Sequence, residues 1–293
     1  MRRQLCKTTA LLVIILFSLT ACQKDEPVGI TPELPPDFSD DLSPAWSPDG
    51  STIAFTHRRI STDTCCGPFG IYFVNPDGSG RRLFLAGGHS PAWSPDGEKL
   101  AFVLSGSIAI MNKDSIGFRS FGVEGFFPAW SPDGTKIAYD TGEGGRTFII
   151  DLAQEAAPEK FLDRAADPTW SPDGQELAFS RRETPFSALS IYKAKLDGSG
   201  ISQLTKPREE LNNHRYPEYS HKGNRIAFSS DNVGIIVIDA KGRHERVIIR
   251  GGASPSWSPD DQFLVFHGAT DTPGRARLFI IGADGTGLRQ LTL

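Results

Sequence analysis

The sequence predicts an all-β fold, a six-bladed β-propeller of four-stranded antiparallel blades, and three observations carry that expectation. The first is a repeat. Pro44-Ala45-Trp46-Ser47-Pro48-Asp49-Gly50 returns at Pro91 to Gly97, at Pro128 to Gly134 and, with one change, at Pro168 to Gly174; two altered copies follow at Pro217 to Gly223 and Pro255 to Asp261. The second is the spacing. The Trp of each copy (Tyr219 in the fifth) recurs after 47, 37, 40, 49 and 38 residues, a period that marks propeller blades, small sheets that bury their faces only against one another. The third is composition: 293 residues with 30 Gly and 21 Pro suit one large, turn-rich β domain.

The first repeat shows how each blade is built. Pro44-Ala45-Trp46 is the innermost strand. Ser47-Pro48-Asp49-Gly50 then has type I turn chemistry, with Ser at i, Pro setting φ at i+1 and Gly at i+3 in positive φ. Thr52 to Thr56 is the second strand, and its small Ala54 recurs as Ala101, Ala138, Ala178 and Ala227, with Val265 in the last blade. Ile71 to Val74 is the third, and Asp77-Gly78-Ser79-Gly80 turns into the fourth, Arg82 to Phe84. The tryptophans recur in phase with the strands and are expected between blades. The turn aspartates need no calcium to explain them. His221 stands in the fifth copy where the others have the turn Pro, and Asp261 in the sixth where they have Gly; Asp tolerates left-handed backbone better than most residues.

The W-S-P-D-G core with a D-G-S-G…L-T tail resembles the WD40-like β-propeller repeat of the TolB family, over Pro44 to Leu293. The resemblance implies the propeller part alone, without that family's N-terminal α/β domain. It implies a protein-binding module with no catalytic residues and no cofactor.

The N-terminus reads as an address. Arg2, Arg3 and Lys7 precede a short apolar run, Leu11 to Phe17, as in a secretory signal. Leu19-Thr20-Ala21-Cys22 resembles the bacterial lipobox, which makes residues 1–21 a signal peptide and Cys22 the lipidated first residue, with several acyl chains for stable anchoring. Gln23 in place of Asp points to the outer membrane, and Gln23-Lys24-Asp25-Glu26 resembles an acidic surface-export tag, so periplasm-facing and cell-surface placements both stand. Residues 22–43, with Pro27, Pro32, Pro35 and Pro36, read as a tether, leaving residues 44–293 for the propeller. The mature chain holds 28 Lys and Arg against 35 Asp and Glu, which argues against nucleic acid and against a basic membrane patch. Cys65 and Cys66 are adjacent, a spacing that suits a vicinal disulfide better than a metal or redox pair.

Antiparallel order divides the loops between two faces. One holds the uniform SPDG and DGSG turns. The other holds loops that vary in length and chemistry, where binding residues are expected. On that face the sequence places His57, Arg59, His89, Phe126, Phe127, Asp167, Arg182, His214, Arg215 and Tyr216, a mixture of charge and aromatic rings suited to a protein or peptide partner of a monomeric scaffold. The alternative is a carbohydrate-active lyase or hydrolase using His89 and His214, since His57, His89, His214 and His267 all fall on this side. Against it, no HxH or HExxH spacing fixes a metal and no GxSxG elbow supplies a nucleophile. The sequence therefore assigns no catalytic, cofactor-binding or metal residue.

Overall fold

A computed structural model describes residues 39–59, 69–142, 145–154, 157–184, 187–206, 212–270 and 275–293. The signal peptide, Cys22, most of the expected tether and the Cys65-Cys66 pair lie outside the described residues.

Six four-stranded antiparallel sheets form in chain order, each from one contiguous segment. Blade 1 holds β1 (Ser39–Trp46), β2 (Ile53–Arg59), β3 (Gly70–Val74) and β4 (Arg82–Ala86); blade 2 holds β5 (Gly88–Trp93), β6 (Lys99–Leu104), β7 (Ser107–Asn112) and β8 (Arg119–Glu124). Blade 3 comprises β9 (Phe126–Trp130), β10 (Lys136–Asp140), β11 (Arg146–Asp151) and β12 (Glu159–Asp163); blade 4 comprises β13 (Ala166–Trp170), β14 (Glu176–Arg181), β15 (Ser190–Lys195) and β16 (Ser202–Gln203). Blade 5 runs through β17 (His214–Tyr219), β18 (Arg225–Ser230), β19 (Gly234–Asp239) and β20 (Arg246–Arg250), and blade 6 through β21 (Ala253–Trp257), β22 (Phe263–Ala269), β23 (Ala276–Gly282) and β24 (Arg289–Gln290).

The core is six separate apolar layers, one between each pair of neighbouring blades. The recurrent Ala of each second strand explains how they fit. Ala54 faces blade 2 and packs in one layer with Trp93, while its large neighbours Ile53 and Phe55 face the other way, into the layer with blade 6. The same pairing joins Ala101 with Trp130, Ala138 with Trp170, Ala178 with Tyr219 and Ala227 with Trp257. A small side chain on one face leaves the volume that an indole from the next blade fills. The indoles also bond across the gap: Trp93, Trp130, Trp170 and Trp257 donate Nε1–H to the carbonyls of Ala45, Ala92, Ala129 and Glu218, at 3.1–3.2 Å. At the closing interface the larger Val265 faces Trp46, and that indole turns back to its own Gly50 carbonyl.

The turns follow the sequence reading. In five blades the Ser hydroxyl donates to the Asp two residues on, as Ser47 does to Asp49 at 2.6 Å. These bonds and the backbone N–H groups beside them hold the turn carboxyls below their usual range. The two departures from the motif meet in space. Asp261, at φ 61°, accepts the backbone N–H of His221 at 2.7 Å and of Lys222 at 3.1 Å, so the fifth copy's His sits against the sixth copy's Asp.

Ring closure draws on residues ahead of the first Pro-Ala-Trp copy. Among the described residues β1 starts at Ser39, five residues ahead of Pro44, and continues along β2 by pairing Ser39 with Arg59 through Leu42 with Thr56. Among the described residues no terminal strand is exchanged: blade 6 has its own four strands, and β1 crosses the seam by hydrogen bonds. Asp40 Oδ1 accepts the N–H of Ala276 at 2.9 Å while its Oδ2 binds Arg58 at 2.7 Å, and Arg277 donates to the Ser39 carbonyl. Asp40→Ala should therefore destabilise the domain by about 1–3 kcal/mol, the cost of leaving a seam N–H unpaired. Urea midpoints check this, with the exposed turn variant Asp77→Ala as the reference.

Candidate functional site

The innermost strands β1, β5, β9, β13, β17 and β21 surround a central channel of about 420 Å³. Each of the six carries a bulge just before its proline. The bulged residues Ser43, Ser90, Phe127, Asp167, Tyr216 and Ser254 all take positive φ, from 47° to 52°. A non-glycine residue in this region costs roughly 1 kcal/mol or more, and a following proline ordinarily favours extended backbone. Hydrogen bonds to the preceding blade offset part of that cost: Ser90 N–H donates to Thr56 Oγ1, Asp167 N–H to Asp140 Oδ2 and Ser254 N–H to Ser229 Oγ, at 2.8–2.9 Å. Ser43 N–H reaches His267 Nδ1 at 3.5 Å. All six bulged residues line the channel.

The candidate residues divide accordingly. Phe127, Asp167 and Tyr216 line the channel, with the Phe127 and Tyr216 rings 5.2 Å apart from blades 3 and 5. Beside them His89 lies between two exposed rings, 6.1 Å from Phe69 and 6.5 Å from Phe126, and these are 36% and 40% exposed. Three blades thus contribute to one aromatic series. Burial lowers the His89 pKa, so the imidazole is neutral at pH 7. Arg215 immediately precedes Tyr216 on β17. Arg59 is the last residue of β2, paired with Ser39, and Arg182 donates to the Ser187 carbonyl at 2.6 Å; neither lines the channel.

Two expected loop residues are turned inward. His57 is buried in blade 1, 2.7 Å from Asp41 and edge-on to Tyr72. Asp41, itself fully buried, is also reached by Arg81 at 3.1 Å, which makes this a structural charge cluster. His214 is buried against Phe228, 2.8 Å from Thr205 Oγ1, and burial pushes its pKa down to about 4. Burial takes His267 to about 4 as well. His57 and His214 stand near strand ends, where sequence alone does not show which way a side chain points.

The sequence reading missed two carboxyls. Asp140 accepts the N–H groups of Asp167 and Gly142, yet burial and the neighbouring Asp167 charge push its pKa up to about 7. Glu218 occupies the place held by Ala45, Ala92, Ala129, Thr169 and Ser256 in the other blades. Its Oε1 accepts Trp257 N–H at 3.1 Å and Ser256 Oγ–H at 3.2 Å, it lines the channel, and burial pushes its pKa up to about 8. A single acidic letter inside an altered repeat was the available signal.

Known proteins share both the repeat and this architecture. The profile of the TolB beta propeller domain matches residues 124–292. The chain belongs to the TolB β-propeller domain family. Among solved structures, TolB from Acinetobacter baumannii superposes with a TM-score of 0.68 at 20% identity, covering 80% of this chain and 62% of that one. This TolB-type chain thus spans less than two thirds of that protein's length. An oligogalacturonate lyase in complex with manganese gives 0.59 at 14% identity, over 87% of this chain and 78% of that one. A nidogen/laminin complex gives 0.61 at 10% identity, over 87% and 94%. At these identities the likeness is one of fold, and blades so similar serve unrelated activities. No curated protein matches the sequence.

Proposed function

We propose that this TolB-type propeller is a non-catalytic scaffold of the cell envelope, lipidated at Cys22 and held at the outer membrane, that binds a protein or peptide at the channel mouth. The observation that carries this reading is the aromatic series at the mouth, Phe69, His89 and Phe126 beside Phe127 and Tyr216, all but Phe69 on strands whose backbone is held by the ring. Exposed rings on a rigid base provide large contact area at little entropic cost, the character of binding hot spots. The family, and the presence of a similarly folded propeller in a nidogen/laminin complex, support it. The lyase reading lacks such an observation. His57, His214 and His267 bond to Asp41, Thr205 and the Ser43 N–H, and among the described residues no group of three His, Cys, Asp or Glu side chains could hold a metal.

Selection of a phage-displayed peptide library on the purified protein tests the reading. Phe126→Ala and Tyr216→Ala should each weaken the selected peptides roughly tenfold or more, measured by titration calorimetry. Peptides that bind both variants as well as the parent would remove the mouth from consideration. For the anchor, Cys22→Ala should move the protein from the membrane pellet to the soluble envelope fraction; a variant still in the pellet would overturn lipidation at that residue.

A further inference from the structure

Resting on the mouth as the binding face, we infer that the channel beneath it receives an organic cation, the ammonium or guanidinium end of a partner's Lys or Arg side chain, and that Glu218 is its counter-ion.

The channel wall is chemically one-sided. Trp46, Trp93, Trp130, Phe127 and Tyr216 line it half-buried, Trp170, Tyr219 and Trp257 are packed between blades behind it, and its carboxyl groups are Asp167 and Glu218. Among the described residues none of the lining side chains is Lys or Arg, and His221 is the one imidazole among them. Glu218 is poorly explained as a packing residue, since five other blades build the same strand with Ala, Thr or Ser at its position. Both of its hydrogen bonds fall on one oxygen, Oε1. The other, Oε2, has no hydrogen-bond partner among the described residues. A carboxylate placed so, with one oxygen oriented by the wall and the other open to an aromatic cavity, matches a ligand that supplies charge, N–H donors and apolar stem together.

The surroundings favour an organic cation over a metal. Aromatic faces attract ammonium and guanidinium groups, and the half-buried rings of Trp46, Trp93, Trp130, Phe127 and Tyr216 line the channel. Metal coordination needs several oxygen or nitrogen ligands on one centre, and the described residues bring no such group together. The channel volume of about 420 Å³ takes a side chain rather than a folded element. Other charged groups near Glu218 are Asp261 and His221 from the facing turns, Lys222, Arg225 on β18 and Asp167 on β13. Arg225 is engaged with the Asp261 carbonyl and the Trp257 ring.

The probe is n-butylammonium chloride, followed through the Trp257 backbone and indole N–H signals, which bond to Glu218 Oε1 and to the Glu218 carbonyl. At matched ionic strength it should shift both signals saturably, n-butanol should not, and Glu218→Gln should weaken the effect at least tenfold. The wild-type protein gives a readout independent of that variant's folding. Binding should tighten at least tenfold from pH 6 to pH 9, because a carboxyl titrating near 8 is ionised only at the upper end. Equal response to n-butanol, equal response in Glu218→Gln, no tightening with pH, or a calcium chloride response with none to n-butylammonium would each overturn the inference. Its fate is separable from that of the mouth. Selected peptides sensitive to Phe126→Ala but indifferent to Glu218→Gln and to Lys or Arg replacement would sink the channel site alone. An n-butylammonium response with no mouth-dependent peptide would do the reverse.

Discussion

Trp257→Ala should lower the stability of the propeller by about 3–5 kcal/mol, the range for truncating a fully buried aromatic side chain. Trp257 is 0% exposed, fills the space left by Ala227, lies under the Arg225 guanidinium and bonds through its indole to the Glu218 carbonyl across the blade interface. Partial collapse into the void is opposed on both sides by strands already committed to their own sheets. Trp257→Phe separates the contributions: it keeps most of the apolar volume, loses the cross-blade hydrogen bond, and should cost roughly 1–2 kcal/mol. Equilibrium urea denaturation measures both. A loss below about 1 kcal/mol for the Ala variant would mean that the interface tolerates an unfilled socket, against the packing described for all six layers.

Stability should fall by roughly 2 kcal/mol between pH 6.5 and 8, and Glu218→Gln should remove most of that fall. The sign follows from which state holds the proton. Glu218 titrates near 8 in the folded chain, above its ordinary 4.5, so across that interval the folded protein retains a proton that the unfolded one has released. Raising the pH then favours unfolding. Asp140, near 7, acts in the same direction over the lower part of the range. His214 and His267 act oppositely, since burial takes each to about 4 while the unfolded imidazoles, with an ordinary value of 6.5, are still half-protonated where this window starts; their opposing effect fades by about pH 7.5 and offsets part of the fall. The turn aspartates, held below their usual value, matter only in acid. Urea midpoints at pH 6.5, 7.2 and 8 for both proteins give the result. Parallel curves for parent and variant would show that Glu218 is ionised throughout.

The blades were readable because their chemistry is local. A Ser-Pro-Asp-Gly turn closes on itself through bonds two to five residues apart, and the Ala–Trp pairing repeats with the blade. The channel was only half readable. The residue before each proline could be picked out, and Phe127, Asp167 and Tyr216 do line the channel. Its left-handed backbone could not, because it depends on bonds to a different blade. His221 and Asp261 looked like independent erosions of the motif; they are a contact 40 positions apart, visible only when blades 5 and 6 stand side by side. Ser39 to Ser43 looked like tether because two aspartates and two serines show no apolar alternation. Their partners, Ala276, Arg277 and His267, lie more than 220 residues away.

The seam has a mechanical consequence. Tension arriving from the residues ahead of Ser39 enters at an innermost strand, beside the axis, and passes at once into two blades through Asp40: along β2 by way of Arg58 and into blade 6 by way of Ala276. A load along β1 shears its row of bonds to β2 together and does not peel an outer edge one bond at a time, so the same short segment that shuts the ring also braces it.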